Sequence, residues 1–429
     1  MTSSSPQQRV VVTGIGLITP FGLAREQSWD ALKRGESATR WLRADELDLP
    51  SADADRPLAG SWQFAGASAP QTVSPVIVAG ETFDEPVVAL AVKAATEAIH
   101  DAELKIDQED RTQLGCVVGT SKGGMQSVSR AVAAHGLATH GKDGLPTNVW
   151  SQFPPNMPSL MVAAQNGLEG PCLCPVAACA TGLLSLNRGF ELVRDGHCDV
   201  VVAGSSDASL CTSVLASFRR LGVLARRFDD PTTACRPFDR HRSGFVVGEG
   251  AGMLVLERLD RAVARGAHIY AEWITSGYAA DVSGLTQLEA KPLGLIRLIH
   301  DVLRRGGLTA SEIDYVNLHG TATRQNDLCE TNAVKQAFGT VANSLRCSSL
   351  KGGIGHLLGA AGSVEVAATM LAMRDGVIPP TVNLTEPDED CDLDYTPGTA
   401  RPQRIENALK LSLGFGGHLV AAIVREFTG

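Results

Sequence analysis

One cysteine stands where an apolar run gives way to a helix. The stretch P-V-A-A-C-A-T-G-L-L-S-L-N-R-G-F sets Cys179 just ahead of Leu183, Leu186, Phe190 and Val193, which recur at helical spacing. Gly182 keeps the turn bare, and Asp195-Gly196 supplies the stop. At a helix N-terminus the macrodipole and unpaired backbone N–H groups favour an anion, so the thiol is expected to lose its proton more readily than a free cysteine. That is the profile of an activated nucleophile, which labelling reagents should reach before the other cysteines. The competing reading is a small buried hydrophobe, the usual condition of a cysteine in a folded chain.

Three further polar positions cluster in turns of the C-terminal half: His319 in N-L-H-G-T-A-T, Lys351 in S-L-K-G-G and His356 in G-I-G-H-L-L-G. Each falls at the end of a predicted strand or the start of a helix. A lone histidine in such a turn caps a helix or packs in the core. Two of them, in Gly-rich turns that match the cysteine turn of the other half, are harder to explain by structure alone. Neutral imidazoles donate hydrogen bonds to a carbonyl that is gaining negative charge, and they shuttle protons near pH 7. A thiolate with two such donors suits acyl transfer followed by carbon–carbon bond formation.

The elements that must position these groups read as an α/β protein. The first strand is predicted over Arg9 to Thr13, followed by the turn G-I-G-L-I-T-P and a helix from about Glu26. G-I-G is a weak dinucleotide fingerprint, because the third glycine and an acidic ribose ligand are missing. Residues 43–86, rich in Ala, Ser, Pro and Asp, read as a loop insertion, and a helix follows over about Val87 to Ala102. The second half echoes the first. G-C-V-V-G-T-S-K-G-G, the cysteine helix and D-V-V-V-A-G-S-S-D correspond to D-Y-V-N-L-H-G-T-A-T and S-S-L-K-G-G-I-G-H-L-L-G-A-A-G. This is the pattern of a duplicated βα unit dividing near Gly266 to Ala271, with halves of 1–268 and 269–429. Loops at the carboxyl ends of strands are the usual place for a site in such sheets.

Composition sets the outer bounds. The 429 residues are 44% hydrophobic and 20% charged, enough for a large core in two intimately packed halves. Aromatics are only 5% against 44 glycines, which suggests close helix-to-sheet contacts in a layered protein. The net charge of −9 argues against nucleic acid as a partner, though not against a local basic patch. Ten scattered cysteines form no C-x-x-C pair, and no His or Cys cluster completes a metal-ligand set. The opening M-T-S-S-S-P-Q-Q-R lacks an apolar targeting segment and no run is long enough for a membrane span, so the chain is expected in a reducing cytoplasm.

At the cysteine and histidine turns the chain resembles the β-ketoacyl-acyl-carrier-protein synthases of the KAS I/II type, which have the thiolase fold. The likeness runs from V-V-V-T-G-I-G-L-I-T-P-F-G through A-C-A-T-G, R-P-F-D-R-H-R-S-G-F-V-V-G-E-G-A-G, H-G-T-A-T-R-Q-N-D, K-G-G-I-G-H-L-L-G-A-A-G and I-P-P-T-V-N-L to G-F-G-G. It implies two pseudo-symmetric βα halves with mixed sheets in an αβαβα arrangement. It further implies Cys179 as acyl-accepting nucleophile, with His319 and His356 driving malonyl decarboxylation and stabilising the enolate. Lys351 matches the lysine that orders the site, and Glu365 a buried acid that orients the network. Thr321 and Thr323 match the hydroxyls that hold a phosphopantetheine arm, and Phe415 a gating residue whose backbone N–H joins that of Cys179 in an oxyanion hole. By the same likeness the substrate is expected to travel on the phosphopantetheine of an acyl carrier protein, no metal or other cofactor to be required, and the enzyme to be a homodimer.

The resemblance also sorts neighbours. A thiolase carries a second catalytic cysteine where this chain reads L-G-F-G-G-H-L, and an initiating synthase pairs its histidine with asparagine rather than His356. A non-catalytic chain-length partner lacks the nucleophile. Three departures leave the chemistry intact but weigh against ordinary fatty-acid elongation, with a polyketide or specialised-lipid pathway as the alternative. Gly284 stands where elongating relatives often carry histidine. His418-Leu419 replaces Thr-Asn after G-F-G-G, altering hydrogen bonding and the surroundings of any bound monovalent cation. G-E-T-F-D-E-P is acidic where relatives tend to be basic. For the carrier, Arg219-Arg220 and Arg226-Arg227 form the densest basic run, and the strand D-V-V-V-A-G is the expected dimer edge.

Overall fold

The computed structural model describes residues 8–47, 63–70, 75–78, 80–137, 149–289 and 291–429. Strand β1, Val10–Ile18, is buried at every position. It runs straight through the G-I-G-L-I segment expected to turn, with only a register shift between Val12 and Gly14. The glycines serve the helix lying across the strand, α2 (Pro86–Asp101), after α1 (Arg25–Arg34). A Cβ on Gly14 would stand 2.1 Å from the Ala98 carbonyl oxygen, and one on Gly16 1.9 Å from that of Ala94. The sequence signature of a turn is here the signature of a helix backbone touching a sheet.

Nine further strands join β1 in one sheet among the described residues: β2 (Leu114–Gly119), β3 (Cys172–Leu173), β4 (Val200–Asp207), β5 (Gly250–Arg258), β6 (Ala271–Ala280), β7 (Tyr315–Asn317), β8 (Arg346–Ser348), β9 (Asn407–Gly414) and β10 (His418–Arg425). Their order is β8-β7-β9-β10-β6-β1-β5-β4-β2-β3. Reading outward from the middle, β1-β5-β4-β2-β3 and β6-β10-β9-β7-β8 repeat one pattern: two antiparallel pairings, then two parallel ones. The seam between them is short, Val10–Val12 against Ala271–Trp273.

Helices complete five layers. On one outer face α2 and α3 (Met157–Asn166) cover β1, β2, β4 and β5. On the other, α6 (Leu293–Gly306) lays Leu295, Leu298, Ile299 and Val302 over β6 and β10, with α7 (Arg324–Phe338) beside it. Between the half-sheets lie α4 (Thr181–Arg194) and α8 (Ala361–Asp375), and α5 (Thr212–Leu221) follows β4. A helix walled in on all sides must be apolar all round, and α8 is buried from Ala361 through Met373. Leu183, Leu186, Val364, Ala367, Leu371, Leu254 and Val420 share one core that belongs to neither half alone. This is an α/β protein with the αβαβα layering that the resemblance implies.

Two further expectations change. The 43–86 segment is not simply a loop: Ala65–Ala67 pairs with Arg40–Trp41 and Val247–Gly248, and Val76–Val78 pairs with Glu81–Phe83; residues 48–62, 71–74 and 79 lie outside the described residues. The D-V-V-V-A-G strand is not an edge. It is β4, flanked by β5 and β2, and its hydrophobic run reflects burial on both faces. The sheet instead ends at β3, whose Cys172 and Leu173 are exposed.

Candidate active site at the junction of the two halves

Cys179 lies in a single turn of 3-10 helix, Ala178–Ala180, that runs into α4. Ala178 is held at φ +47, the left-handed region that costs a non-glycine residue about 1–2 kcal/mol. The turn is braced by the Ala177 amide, which donates to Thr181 Oγ1 at 2.8 Å. A backbone hydrogen bond from Phe415, in the loop between β9 and β10, reaches the sulfur. The thiol differs from expectation: burial pushes it up to about 11, only partly offset by Lys122 and Lys351. Desolvation of an anion outweighs the helix terminus here. Exposed Cys172, held down to about 6 by Cys116 and Ser159, is the more acidic thiol, so labelling rate would not single out Cys179.

His319 follows β7. Its backbone amide donates to Glu330 Oε1 at 2.6 Å, that of Gly320 to Glu330 Oε2 at 2.6 Å, and that of Thr321 to Asp327 Oδ1 at 3.0 Å. Two acids one turn apart on α7 thus grip three successive amides. Asp327 also accepts from the Phe238 amide at 2.8 Å and faces Arg242, while burial raises Glu330 to about 7. Lys351 donates to the His319 carbonyl and, at 2.5 Å, to Glu365 Oε1, and its Nζ lies 3.5 Å from His319 Nδ1. An ammonium cannot accept, so Nδ1 is the acceptor and the ring proton sits on Nε2.

His356 is pinned by its own backbone: its amide donates to Val246 O at 2.7 Å, and its carbonyl accepts from Gly248 N at 2.9 Å. The Leu358 amide donates to His356 Nδ1 at 3.3 Å, which again leaves the proton on Nε2. The two rings stand 5.2 Å apart, nearly perpendicular at 81°, and Phe245 meets His356 edge-on. Burial first, then Lys351, holds both imidazoles well below the usual histidine range. They are neutral N–H donors at neutral pH.

Cys179, His319, His356, Thr321, Thr323 and Phe415 line one cavity of about 100 Å³. Thr321 Oγ1 and Thr323 Oγ1 are hydrogen-bonded at 2.8 Å on its way out, and Leu285–Leu288 form the facing wall. Gly284 adjoins that wall, and a Cβ there would meet nothing closer than Gln287 at 3.4 Å. His418, at the start of β10, is exposed and does not line the cavity. The contacts that close the gap between the halves are two glycines. A Cβ on Gly182 would stand 2.6 Å from the Ser363 amide nitrogen, and one on Gly362 2.5 Å from that of Leu183. The helices α4 and α8 touch backbone to backbone, just beyond the cysteine and the second histidine.

Sequence reasoning missed several members of this site. Asp207 accepts from Ser121, Ser209 and, at 3.1 Å, the Gly359 amide, joining the cysteine's half to the loop after His356. Glu330 and Asp327 were detectable as acids three apart on the apolar side of a helix. Lys410 was detectable as a charge in the middle of the apolar strand N-A-L-K-L-S-L.

The comparisons agree with this architecture. The N-terminal domain of the β-ketoacyl synthases matches residues 7–262, and their C-terminal domain residues 270–385. A 3-oxoacyl-acyl-carrier-protein synthase 2 of Synechocystis is 35% identical over 98% of this chain and 99% of its own. The ketoacyl synthase alpha subunit of the tetracenomycin polyketide synthase of Streptomyces glaucescens is 37% identical over 97% of each chain. Among solved structures, a type II polyketide ketosynthase in complex with its acyl-carrier protein and bound to the hexaketide superposes with a TM-score of 0.89 at 30% identity, over 98% of this chain and 100% of that one. A cysteine and two histidines meet where the two halves of a thiolase fold join, and this chain belongs to the β-ketoacyl synthase family of condensing acyltransferases.

Proposed function

We propose that the chain joins an acyl group to a malonyl-derived unit through an acyl-Cys179 intermediate, with 1–268 supplying the nucleophile and 269–429 the donors. The observation that carries this reading is that both imidazoles keep Nδ1 occupied and a proton on Nε2 in the cavity that holds the thiol. In the first half-reaction Sγ bonds to the thioester carbonyl carbon and loses its proton, while the departing phosphopantetheine sulfur gains one. The N–H groups of Phe415 and Cys179 receive the carbonyl oxygen as it becomes an oxyanion. In the second, the malonyl carboxyl carbon leaves as carbon dioxide, and the enolate oxygen accepts from His319 and His356. The carbanionic carbon then attacks the acyl carbonyl and Sγ departs. Fixing both acyl partners in one cavity removes much of the entropic barrier. Lys351 and Glu365 orient His319, and no metal or nicotinamide takes part. Mass spectrometry of Cys179 after exposure to an acyl thioester tests the reading: an acyl adduct there that malonyl thioester discharges is expected, and a persistently bare Cys179 would overturn it.

The carrier is an acyl carrier protein in this proposal, with Thr321 and Thr323 meeting the phosphopantetheine arm. A basin beyond Thr323 is rimmed by Arg226, Arg227, Arg240 and Arg324. Among the described residues Arg226, Arg227 and Arg324 have no carboxylate within ion-pair distance. Arg219 turns away, its guanidinium 3.8 Å over the Phe64 ring, so the proposed docking surface centres on Arg226, Arg227 and Arg324, which line the basin. Arg227→Glu with Arg324→Glu is expected to raise KM about tenfold for carrier-bound acyl groups, with salt mimicking the effect. A small acyl thioester should show no change, and an equal change for both substrates would remove the basin from the docking surface.

We also propose a homodimer, formed across the open β3 edge rather than β4. Leu160, Leu173 and Val176 are exposed around that edge, and an unpaired apolar edge is a ready pairing surface. Sedimentation should give a dimer, and Leu173→Asp should shift it toward monomer. A second reading, a polyketide or specialised-lipid synthase, is favoured by the tetracenomycin relative and the room beside Gly284. The chain length that builds up on Cys179 separates it from fatty-acid elongation. The scatter of cysteines supports a cytoplasmic setting; among the described residues no helix is long and apolar enough to cross a membrane.

A further inference from the structure

Beneath His319, beside the Lys351–Glu365 pair, lies a buried charge that the reaction as described does not use, Lys410. Glu365 is fully buried on α8, and each of its oxygens takes a different lysine: Lys351 at 2.5 Å and Lys410 at 2.6 Å. Lys410 rises from the middle of β9, beside Asn317 of β7 in the ladder. Its ammonium also donates to Asn317 Oδ1 at 2.8 Å and to the Leu318 carbonyl at 3.4 Å. The two cations therefore divide three consecutive residues between them, Lys410 holding 317 and 318 and Lys351 holding 319.

A buried lysine is costly to desolvate and is retained where its oxygen partners are complete. Those partners are a carboxylate, a side-chain amide and a backbone carbonyl. This is an all-oxygen cage around a monovalent cation that happens to be tethered to the chain.

We propose that Lys410 is a positioning residue for the condensation, a built-in cation that fixes the Asn317–His319 turn through its oxygen cage and adds positive charge behind the His319 ring. The proposal rests on the functional reading above for the step it serves, though its geometry stands apart from Cys179. The charged and titratable groups facing His319 are Lys351 and Lys410 below, His356 across the cavity and Glu330 at its amide; Glu365 lies behind the lysines, and Asp327 with Arg242 lies beyond Glu330. Losing one of the two cations makes His319 easier to protonate. Burial, helped by the positive charge of Lys351, lowers Lys410 itself to about 8.

The test uses full-length Lys410→Ala and Lys410→Met, with decarboxylation of malonyl thioester as the readout. Lys410→Ala leaves the cage empty and is expected to lose about tenfold or more in kcat with KM little changed. Ammonium chloride should restore most of that loss, because a free ammonium ion fits the same oxygens, whereas tetramethylammonium chloride should not. Lys410→Met fills the space without charge. It should be equally slow, be indifferent to ammonium, and lose activity at a higher pH on the acid side than wild type. Failure of Lys410→Ala to fold leaves the Lys410→Met pH profile decisive. Wild-type kcat in Lys410→Met, or a slow Lys410→Ala that folds yet ignores ammonium, would overturn the proposal. Failure of the condensation reading itself would appear differently, as wild-type enzyme that does not decarboxylate malonyl thioester at all.

Discussion

Cys179→Ala is expected to lose acyl transfer and condensation by about four orders of magnitude or more, while malonyl thioester is still decarboxylated. A nucleophile has no substitute once its atom is gone, and removal of one costs more than removal of any supporting group. Decarboxylation uses the donors of the other half, His319 and His356, whose hydrogen bonds to Lys351 and the Leu358 amide do not pass through the cysteine. The methyl group of alanine fits the buried turn, so folding should survive. Paired assays of carbon dioxide release and β-ketoacyl formation check this. Equal loss in both would place the thiol in the decarboxylation step, and normal β-ketoacyl formation would sink the assignment.

The second large effect belongs to the histidines. His319→Ala and His356→Ala should each slow decarboxylation about 100-fold, the usual consequence of losing one preorganised donor to an oxyanion, while a single acylation of Cys179 still proceeds. The pH behaviour follows from the direction of their shifts. Both imidazoles titrate well below 6.5 in the folded enzyme, so they stay neutral donors and the rate should not fall as pH drops from 8 to 6.5. Stability has its own sign. Below about 6.5 the unfolded chain protonates these two rings while the folded chain does not, so stability declines as pH falls from there toward the folded values. Each alanine variant should lose part of that decline in thermal melts taken between pH 7 and 5. A wild-type rate that falls with a midpoint near 6.5 would show that the rings are not desolvated as described.

Much of this architecture could be read in the chain because local signals and tertiary demands coincide. The cysteine helix stops where Asp195 and Gly196 said it would, α8 ends at Asp375 with Gly376 at its cap, the His319 turn follows β7, and the His356 turn leads into α8. What escaped depends on partners distant in sequence. Gly14 and Gly16 look the same in sequence whether they make a turn or admit a helix, and only α2 decides which. An interior strand and an edge strand share the pattern V-V-V-A-G, since composition reports burial and not neighbours. The acidity of Cys179 was misjudged because a helix N-terminus is visible in sequence, whereas the buried apolar cluster that holds Cys179 is assembled from residues remote in sequence, among them Leu210, Leu215, Phe245 and Ala322. Lys410 and Glu330 carried a signal, a charge inside an apolar period, that points to burial without saying beside what.

The contact between Gly182 and Gly362 has one more consequence. The spacing of nucleophile and proton donors is set where two main chains meet with no side chain between them, so ordinary substitution has nothing there to enlarge or trim gradually. Even a single methyl group would force α4 and α8 apart, at about 1–3 kcal/mol for overpacking of this kind. The walls farther out, Leu285–Leu288 and the open ground beside Gly284, carry no such constraint. Selection can therefore explore new acyl chains by remodelling the rim while inheriting the reaction distance unchanged, which makes the chemistry of the fold conservative and its substrate range free to diverge.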